Sequence, residues 1–84
     1  MGKYDPLSDF LKAIADHVTE MTLTFEQIER LIEDRLPPSA RSYRAWWANP
    51  TSIQDHPYAQ AWLAAGWRVE TVNLQEGWVR LRRI

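Results

Sequence analysis

At 84 residues the chain is long enough for one small domain, which buries only about 60–65% of the surface that its unfolded form exposes. Five Trp, three Tyr and two Phe without any Cys indicate a core built from aromatic side chains, and they exclude disulfides and thiolate metal sites. With no Cys, no apolar run near the roughly 20 residues that cross a bilayer, and no signal-peptide or lipidation pattern, we expect a cytoplasmic protein.

The charges divide the chain into two parts of opposite sign. Residues 1–38 carry four basic groups against eight acidic ones, a net charge of −4, and residues 39–84 carry six against three, a net charge of +3. All six basic groups of the second part are arginines, which suit flat, two-pronged contacts with phosphate and guanine. This asymmetry indicates a surface for a polyanion, although surface arginines also pair locally.

Two helices separated by a short strand are predicted in the first part. DPLSDFLKAIAD, residues 5–16, has a proline suited to the first helical turn and apolar residues at helical spacing. Met21–Thr24 alternates like a brief strand. Thr24 and Gln27 then predict a capping box for the second helix, which the following LPP ends.

Two further helices are predicted before the end of the chain. ARSYRAWWA, residues 40–48, predicts a helix capped by Ser39, whose apolar face holds Ala40, Tyr43, Trp46 and Trp47. TSIQDH, residues 51–56, is predicted to be a loop. PYAQAWLAAG, residues 57–66, predicts a helix that Gly66 terminates.

The last part of the chain predicts a β-hairpin. WRVETVNL and WVRLRRI are joined by QEG, with Gly77 in a left-handed conformation. In the second run Val79 and Leu81 point to one side, and the other side carries Trp78, Arg80 and Arg82. A bulge near Glu70–Thr71 is needed to bring the apolar positions of the first run into phase.

If one short helix is left out, the order of these elements predicts an α+β domain that resembles a winged helix-turn-helix. Helices are followed by a C-terminal hairpin, and the short early strand pairs with that hairpin as it does with the wing of such domains. If Met21–Thr24 is not a strand, the expected fold is a helical bundle with an appended hairpin.

Five segments also resemble one protein family, in order and nearly end to end: YDPLSDFL, LTFEQIE, LPPSARSYRAWWAN, AQAWLAAGWRVETVNL and WVRLRR. It is a family of small bacterial and archaeal proteins of unknown function, found alone and attached to other domains. The resemblance covers Tyr4 to Arg83 and implies neither an activity nor catalytic residues. The His-Pro at residues 56 and 57 departs from the polar residues of the family, which puts a functional role of His56 in doubt.

The sequence shows no pattern typical of an enzyme. Nucleophilic catalysis needs a Ser or Cys beside an oriented base, and the two histidines, His17 and His56, lie outside any such motif. The acidic residues of the second helix are interpreted as a solvent-exposed face of that helix, not as an acid–base pair. With neither a glycine-rich phosphate loop nor closely spaced metal ligands, we expect no catalytic residues, no metal and no cofactor.

Nucleic-acid binding is the favoured function, with DNA as the expected partner. Side chains that donate to phosphates and base edges lie on the third helix and on the hairpin. The candidate contacts are Ser39, Arg41, Ser42, Arg44, Trp47, Asn49, Arg68, Arg80 and Arg82. The helix before the wing offers mainly Gln60, so the arginines are weighted more heavily, because charge carries most of the affinity for nucleic acid.

The paired tryptophans leave two interpretations open. Core packing accounts for at least one of Trp46 and Trp47, and the other would then lie beside Arg41 or Arg44, where it could stack on an unpaired or modified base. The alternative function is a protein-interaction module, either a homodimer or an adaptor on a larger partner, which aromatic residues and a near-neutral total charge also suit.

Overall fold

The structure, a computed structural model, describes residues 2–50 and 57–84, so the predicted loop at 51–56, with His56, lies outside the described residues. The described elements combine short helices with one antiparallel sheet, which confirms the predicted α+β class. They are α1 (Asp5–Lys12), β1 (Glu20–Thr24), α2 (Phe25–Ile32), α3 (Pro38–Ser42), a 3-10 segment (Arg44–Trp47), a second 3-10 segment (Pro57–Ala59), α4 (Gln60–Leu63), β2 (Trp67–Asn73) and β3 (Trp78–Arg83).

The early strand pairs with the hairpin, as predicted. The strand order is β1-β3-β2, so β3 lies in the centre with an antiparallel neighbour on each side. The predicted bulge is present between Val69 and Thr71, and it keeps Val69 and Val72 buried on the same side of the sheet. Gly77 closes the hairpin with a φ of 77°, the left-handed conformation that the sequence predicts.

The first two helices begin where their local signals place them. Thr24 caps α2 through a complete capping box: its hydroxyl accepts from the Gln27 N–H at 3.1 Å, and its own N–H donates to Gln27 Oε1 at 2.8 Å. The first helix ends at Lys12, four residues before the predicted end at residue 16. Glu33 follows α2 with a φ of 55°, a conformation that glycine adopts at lower cost.

The third helix is not continuous, which corrects the prediction for residues 40–48. Tyr43 is extended, with φ −124° and ψ 120°, and it separates α3 from the 3-10 segment that follows. Its side chain is 66% exposed, so it does not share the apolar face of the tryptophans. The break lets both Trp46 and Trp47 turn into the core, and burying two indole rings outweighs the few tenths of a kcal/mol per residue of helix propensity.

The ends of the later helices also differ from the prediction. Ser39 is not the cap of α3; it is the second residue of that helix, and the cap position is Pro37, which makes no side-chain cap hydrogen bond. The predicted helix at 57–66 is a 3-10 segment followed by one turn of α-helix. Gly66 has a left-handed φ of 87°, but it is not the predicted cap: α4 ends at Leu63 with Ala64 in the cap position, and Gly66 leads into β2.

The helices cover one side of the sheet and form the core with it. Alternate strand residues such as Leu23, Val69, Val79 and Leu81 are buried on that side. The aromatic rings lie in contact: Trp46 stacks on Tyr58 at 4.0 Å and meets Trp47 edge-on at 4.7 Å, and Trp47 stacks on Phe25 at 5.3 Å and on Trp62 at 5.9 Å. Within the described residues, no helix is both long and apolar enough to traverse a bilayer.

Candidate nucleic-acid interface

The other side of the sheet faces solvent, and we call it the open face. The strand register sets its side chains in three rows across β1, β3 and β2. The rows are Glu20, Arg82 and Arg68 in the first, Thr22, Arg80 and Thr71 in the second, and Thr24, Trp78 and Asn73 in the third, with Glu70 at the bulge. Three arginines against two glutamates leave this face with a formal charge of +1.

Trp78 lies on the open face beside a guanidinium group. It is half-buried, unlike the four other tryptophans, which are 0–8% exposed. The Arg80 guanidinium carbon lies 5.1 Å from the centre of the Trp78 ring, a distance at which a cation attracts the π-system. The pair therefore offers an aromatic surface and a positive charge at one place.

Two of the three arginines on this face make ion pairs with its two glutamates. Arg82 contacts Glu20 at 2.8 Å and Glu70 at 3.2 Å, and Arg80 lies 3.8 Å from Glu20. Both arginine side chains keep about 40% of their surface exposed, and exposed pairs of this kind stabilise a fold by only about 0–1 kcal/mol. Arg68 has no acidic partner within the part of the chain that the structure describes. Arg68 can thus bind an external anion directly, whereas Arg80 and Arg82 would first have to give up exposed ion pairs, each worth about 0–1 kcal/mol.

Arg41, the first arginine of the third predicted helix, connects α3 to α2. Its guanidinium contacts Glu29 at 2.9 Å and Glu26 at 3.8 Å, and it lies 5.5 Å from the centre of the Phe25 ring. Glu29 also accepts a hydrogen bond from the Leu36 N–H at 2.8 Å. The hydrogen bond from Arg41, followed by that from Leu36, lowers the pKa of Glu29 below its ordinary value. Arg41 therefore has a structural role that accounts for its position.

Arg44 and Asn49 contact the outer edge of β2. Arg44 Nη1 donates to the Val72 carbonyl. The Asn49 carboxamide donates to the Val69 carbonyl at 2.7 Å and accepts from the Val69 N–H at 2.8 Å, while Trp62 Nε1 donates to the same Asn49 oxygen at 3.1 Å. Both side chains thus occupy backbone groups that a further strand would otherwise pair with.

Trp47 does not offer a surface for a base, which corrects its assignment as a stacking residue. It is 3% exposed, its ring is stacked between Phe25 and Trp62, and its indole N–H donates to the Ala40 carbonyl at 2.7 Å. For Trp47 to stack on a base, its ring would have to leave its position between Phe25 and Trp62. Ser39 and Ser42 lie on α3 in the helical layer, away from the open face, and their hydroxyls make no hydrogen bond with the described residues.

The structure therefore divides the nine candidate residues. It brings Arg68, Arg80 and Arg82 together on one face, and it places the other six in or beside the helical layer. It adds Trp78, which the list of candidates omits. Because side chains alternate along a strand, the sequence of β3 already predicts that Trp78 lies on the same side as Arg80 and Arg82. This alternation, and not the Trp46–Trp47 pair, indicates which tryptophan lies beside the arginines.

A cleft of about 580 Å³ lies between α1 and α4. Its walls include Lys3, Lys12, Tyr4 and Tyr58. Burial raises the pKa of both tyrosines above its ordinary value. Lys3 contacts Asp34 at 3.3 Å, so its charge is directed toward the end of α2 and not into the cleft.

Comparison with known proteins identifies a family and no activity. Residues 4–84 match the family model described as a domain of unknown function, DUF7662. No curated protein and no solved structure matches the chain.

Proposed function

The chain belongs to this family of domains of unknown function, so its function has to be inferred from the site, and we propose that it is a non-enzymatic, winged-helix-like module that binds unpaired DNA on the open face of its sheet. The absence of cysteine makes the cytoplasm the proposed location.

The observation that carries this proposal is the position of Trp78. It is the one tryptophan that is not fully buried, and Arg80 lies against its ring while Arg68 and Arg82 occupy the same face. Single-stranded nucleic acid is held by this combination, because every base has a face that stacks on an aromatic ring and the backbone follows positive charge. A stacked base contributes about 1–3 kcal/mol.

The order of elements supports a winged-helix-like description. The early strand lies beside β3, and a helix precedes the hairpin that would be the wing. The helical stretch in the reading position covers only residues 57–63, a 3-10 segment followed by one turn of α-helix, about 12 Å in all, which gives it little length to follow a major groove. This geometry favours the sheet as the binding surface, and an unpaired strand over a duplex.

Salt dependence provides the first test. If three arginines each neutralise one phosphate of a single strand, log K should fall with log of the salt concentration with a slope of about −2. We expect fluorescence anisotropy of a labelled oligothymidine to show this slope between 50 and 200 mM salt, with weaker binding to a duplex of the same length.

The substitutions Arg68→Ala, Arg80→Ala and Arg82→Ala, made together, should abolish most of that binding and flatten the slope. The matched control replaces Lys12, Arg30 and Arg35, three exposed basic residues away from the sheet, and it should leave affinity on the open face largely unchanged. Equal losses in both variants, or no binding of any oligonucleotide at 50 mM salt, would refute the proposal.

The alternative function, a protein-interaction or dimerisation module, has one specific observation in its favour. The outer edge of β1 carries backbone groups without a partner in the described residues, whereas the outer edge of β2 is occupied by side chains. Size-exclusion chromatography beside the anisotropy experiment separates the two functions, since a dimer without oligonucleotide binding supports only the second.

A further inference from the structure

The two outer edges of the sheet differ in whether side chains hydrogen-bond to their backbone groups. On the outer edge of β2, Asn49 satisfies both the N–H and the carbonyl of Val69, and Arg44 satisfies the carbonyl of Val72. A strand approaching this edge would first have to displace those side chains. Native sheets commonly block an edge in this way, because unpaired backbone groups attract further strands.

On the outer edge of β1, no side chain of the described residues covers the backbone in this way. Two hydrogen bonds that flank the β1–β3 ladder set the direction of its backbone groups: the Phe25 N–H donates to the Gly77 carbonyl, and the Arg83 N–H donates to the Thr19 carbonyl. Residues 19, 21, 23 and 25 therefore direct their N–H and carbonyl groups toward β3, because these directions alternate along an antiparallel strand. The groups of Glu20 and Thr22 then point outward, and none of them has a partner in the described part of the chain.

The outward groups end sharply at Thr24. Its N–H is held by Gln27 Oε1 in the capping box, and its carbonyl lies at the first turn of α2. The unpaired edge thus consists of two residues, Glu20 and Thr22, with two donors and two acceptors between them. They are separated by Met21, whose half-buried side chain lies on the core side of the sheet.

We propose that β1 pairs with β1 of a second copy of this chain, antiparallel and about a two-fold axis through Met21. In this register Glu20 lies opposite Thr22 of the second copy, and Thr22 lies opposite its Glu20. All eight outward groups of the two copies are then paired in four hydrogen bonds. A two-fold contact uses the same surface on both copies, and this edge is complementary to itself.

The side chains agree with this register. Met21 meets Met21 of the second copy on the core side, which places two partly exposed apolar groups together. On the open face Glu20 lies opposite Thr22 of the second copy. The two Glu20 side chains are therefore displaced from each other along the strands. A register with Thr22 on the axis would instead set Glu20 opposite Thr24, whose N–H is already taken.

The resulting assembly is a continuous six-stranded sheet. It joins the two open faces, so the aromatic and basic groups of both copies lie on one surface. Four hydrogen bonds and a short strand form a contact below the usual size of a stable interface, about 1,200 Å², so the dimer should be weak and dependent on concentration.

Sedimentation equilibrium of the wild-type chain and of charge variants at Thr22 tests the pairing. Thr22→Glu puts two glutamates opposite each other in each symmetric pair, and it should weaken the dimer roughly 2- to 20-fold. Thr22→Lys puts lysine opposite Glu20 and should strengthen it by a similar factor. The double variant Glu20→Lys, Thr22→Glu restores an opposite-charge pair and should recover dimerisation relative to Thr22→Glu alone.

Thr71 supplies the matched control, because it also lies beside Arg80 on the open face, but on β2. Thr71→Glu and Thr71→Lys should leave the dimer constant unchanged, and far-UV circular dichroism verifies that every variant is folded. A wild-type chain that stays monomeric up to about 1 mM, or a β1 edge that pairs only with peptides from other proteins, overturns the proposal. Weakening by both Thr22→Glu and Thr22→Lys overturns the Met21 register. These outcomes are independent of oligonucleotide binding by the monomer.

Discussion

The Asn49 side chain pairs with the Val69 backbone as a neighbouring strand would, donating at 2.7 Å and accepting at 2.8 Å. Trp62 adds a third hydrogen bond to the same carboxamide, so one residue joins the segment after the paired tryptophans to both β2 and the core. Asn49, a candidate for base contacts, thereby has a structural function that its sequence position alone does not reveal.

Asn49→Ala should lower the free energy of unfolding by about 1–3 kcal/mol, because it leaves the Val69 N–H and the Trp62 indole N–H without their acceptor. Asn49→Asp keeps the acceptor and loses the donor, so it should cost less than alanine. Urea unfolding measures both. Gln60→Ala, which removes an exposed amide, is the control and should change stability by less than about 0.5 kcal/mol. An Asn49→Ala protein as stable as this control would contradict the structural role.

Trp62→Ala should cost about 3–5 kcal/mol, enough to unfold so small a domain, because the ring is 1% exposed. Tyr43→Ala should change stability by less than about 0.5 kcal/mol, since its ring is 66% exposed. Thermal unfolding followed by circular dichroism compares the two. A large loss for Tyr43→Ala would contradict the exposed position of its ring.

Glu29→Gln should destabilise the domain by about 0.5–1.5 kcal/mol at pH 7, because it removes the charge that Arg41 binds and keeps an acceptor for the Leu36 N–H. The pKa of Glu29 is lower in the folded chain than its ordinary value of 4.5. Its contribution to stability is therefore fully present above pH 4.5 and is lost as the pH falls through the folded pKa. The difference between the unfolding free energies of the two proteins should be constant near pH 7 and shrink as the pH falls below about 4.5. A difference that stays constant in acid would exclude the ion pair as its source.

Trp78→Leu should lower affinity for oligothymidine by about 1–3 kcal/mol while the chain remains folded, because it removes the stacking surface and keeps apolar contact with the sheet. Trp78→Phe keeps an aromatic ring and should recover most of the affinity. Anisotropy titrations at 50 mM salt measure both variants. If leucine and phenylalanine bind equally well, stacking on this residue is not the source of affinity.

Glu70→Gln should raise oligonucleotide affinity and steepen its salt dependence, because Arg82 loses one of its two internal carboxylate partners. Glu33→Gln changes the net charge equally at an exposed site after α2, and it should have a smaller effect. The ratio of the oligonucleotide affinities of Glu70→Gln and Glu33→Gln separates the local effect at Arg82 from the effect of total charge. Identical increases would indicate only a change in total charge.

Short-range patterns determined much of this fold from the sequence. The capping box of Thr24 and Gln27, the left-handed Gly66 and Gly77 and the bulge after Val69 all follow from residues within a few positions of one another. The alternation in β3 likewise assigned Val79 and Leu81 to the core and Trp78, Arg80 and Arg82 to the opposite side. Such features depend on local backbone sterics and on the alternation of side chains along a strand, and both can be inferred from a few neighbouring residues.

Contacts between distant segments were decided only by the tertiary structure. Helical spacing placed Tyr43 with the tryptophans, but packing of both indole rings broke the helix and turned Tyr43 to solvent. The partners of Arg41, Arg82 and Asn49 lie 12 to 62 residues away in the chain, and spacing carries no information about them. Whether an arginine binds its own protein or an external anion depends on which carboxylates the fold brings within about 4 Å, and folding sets that distance through the whole core.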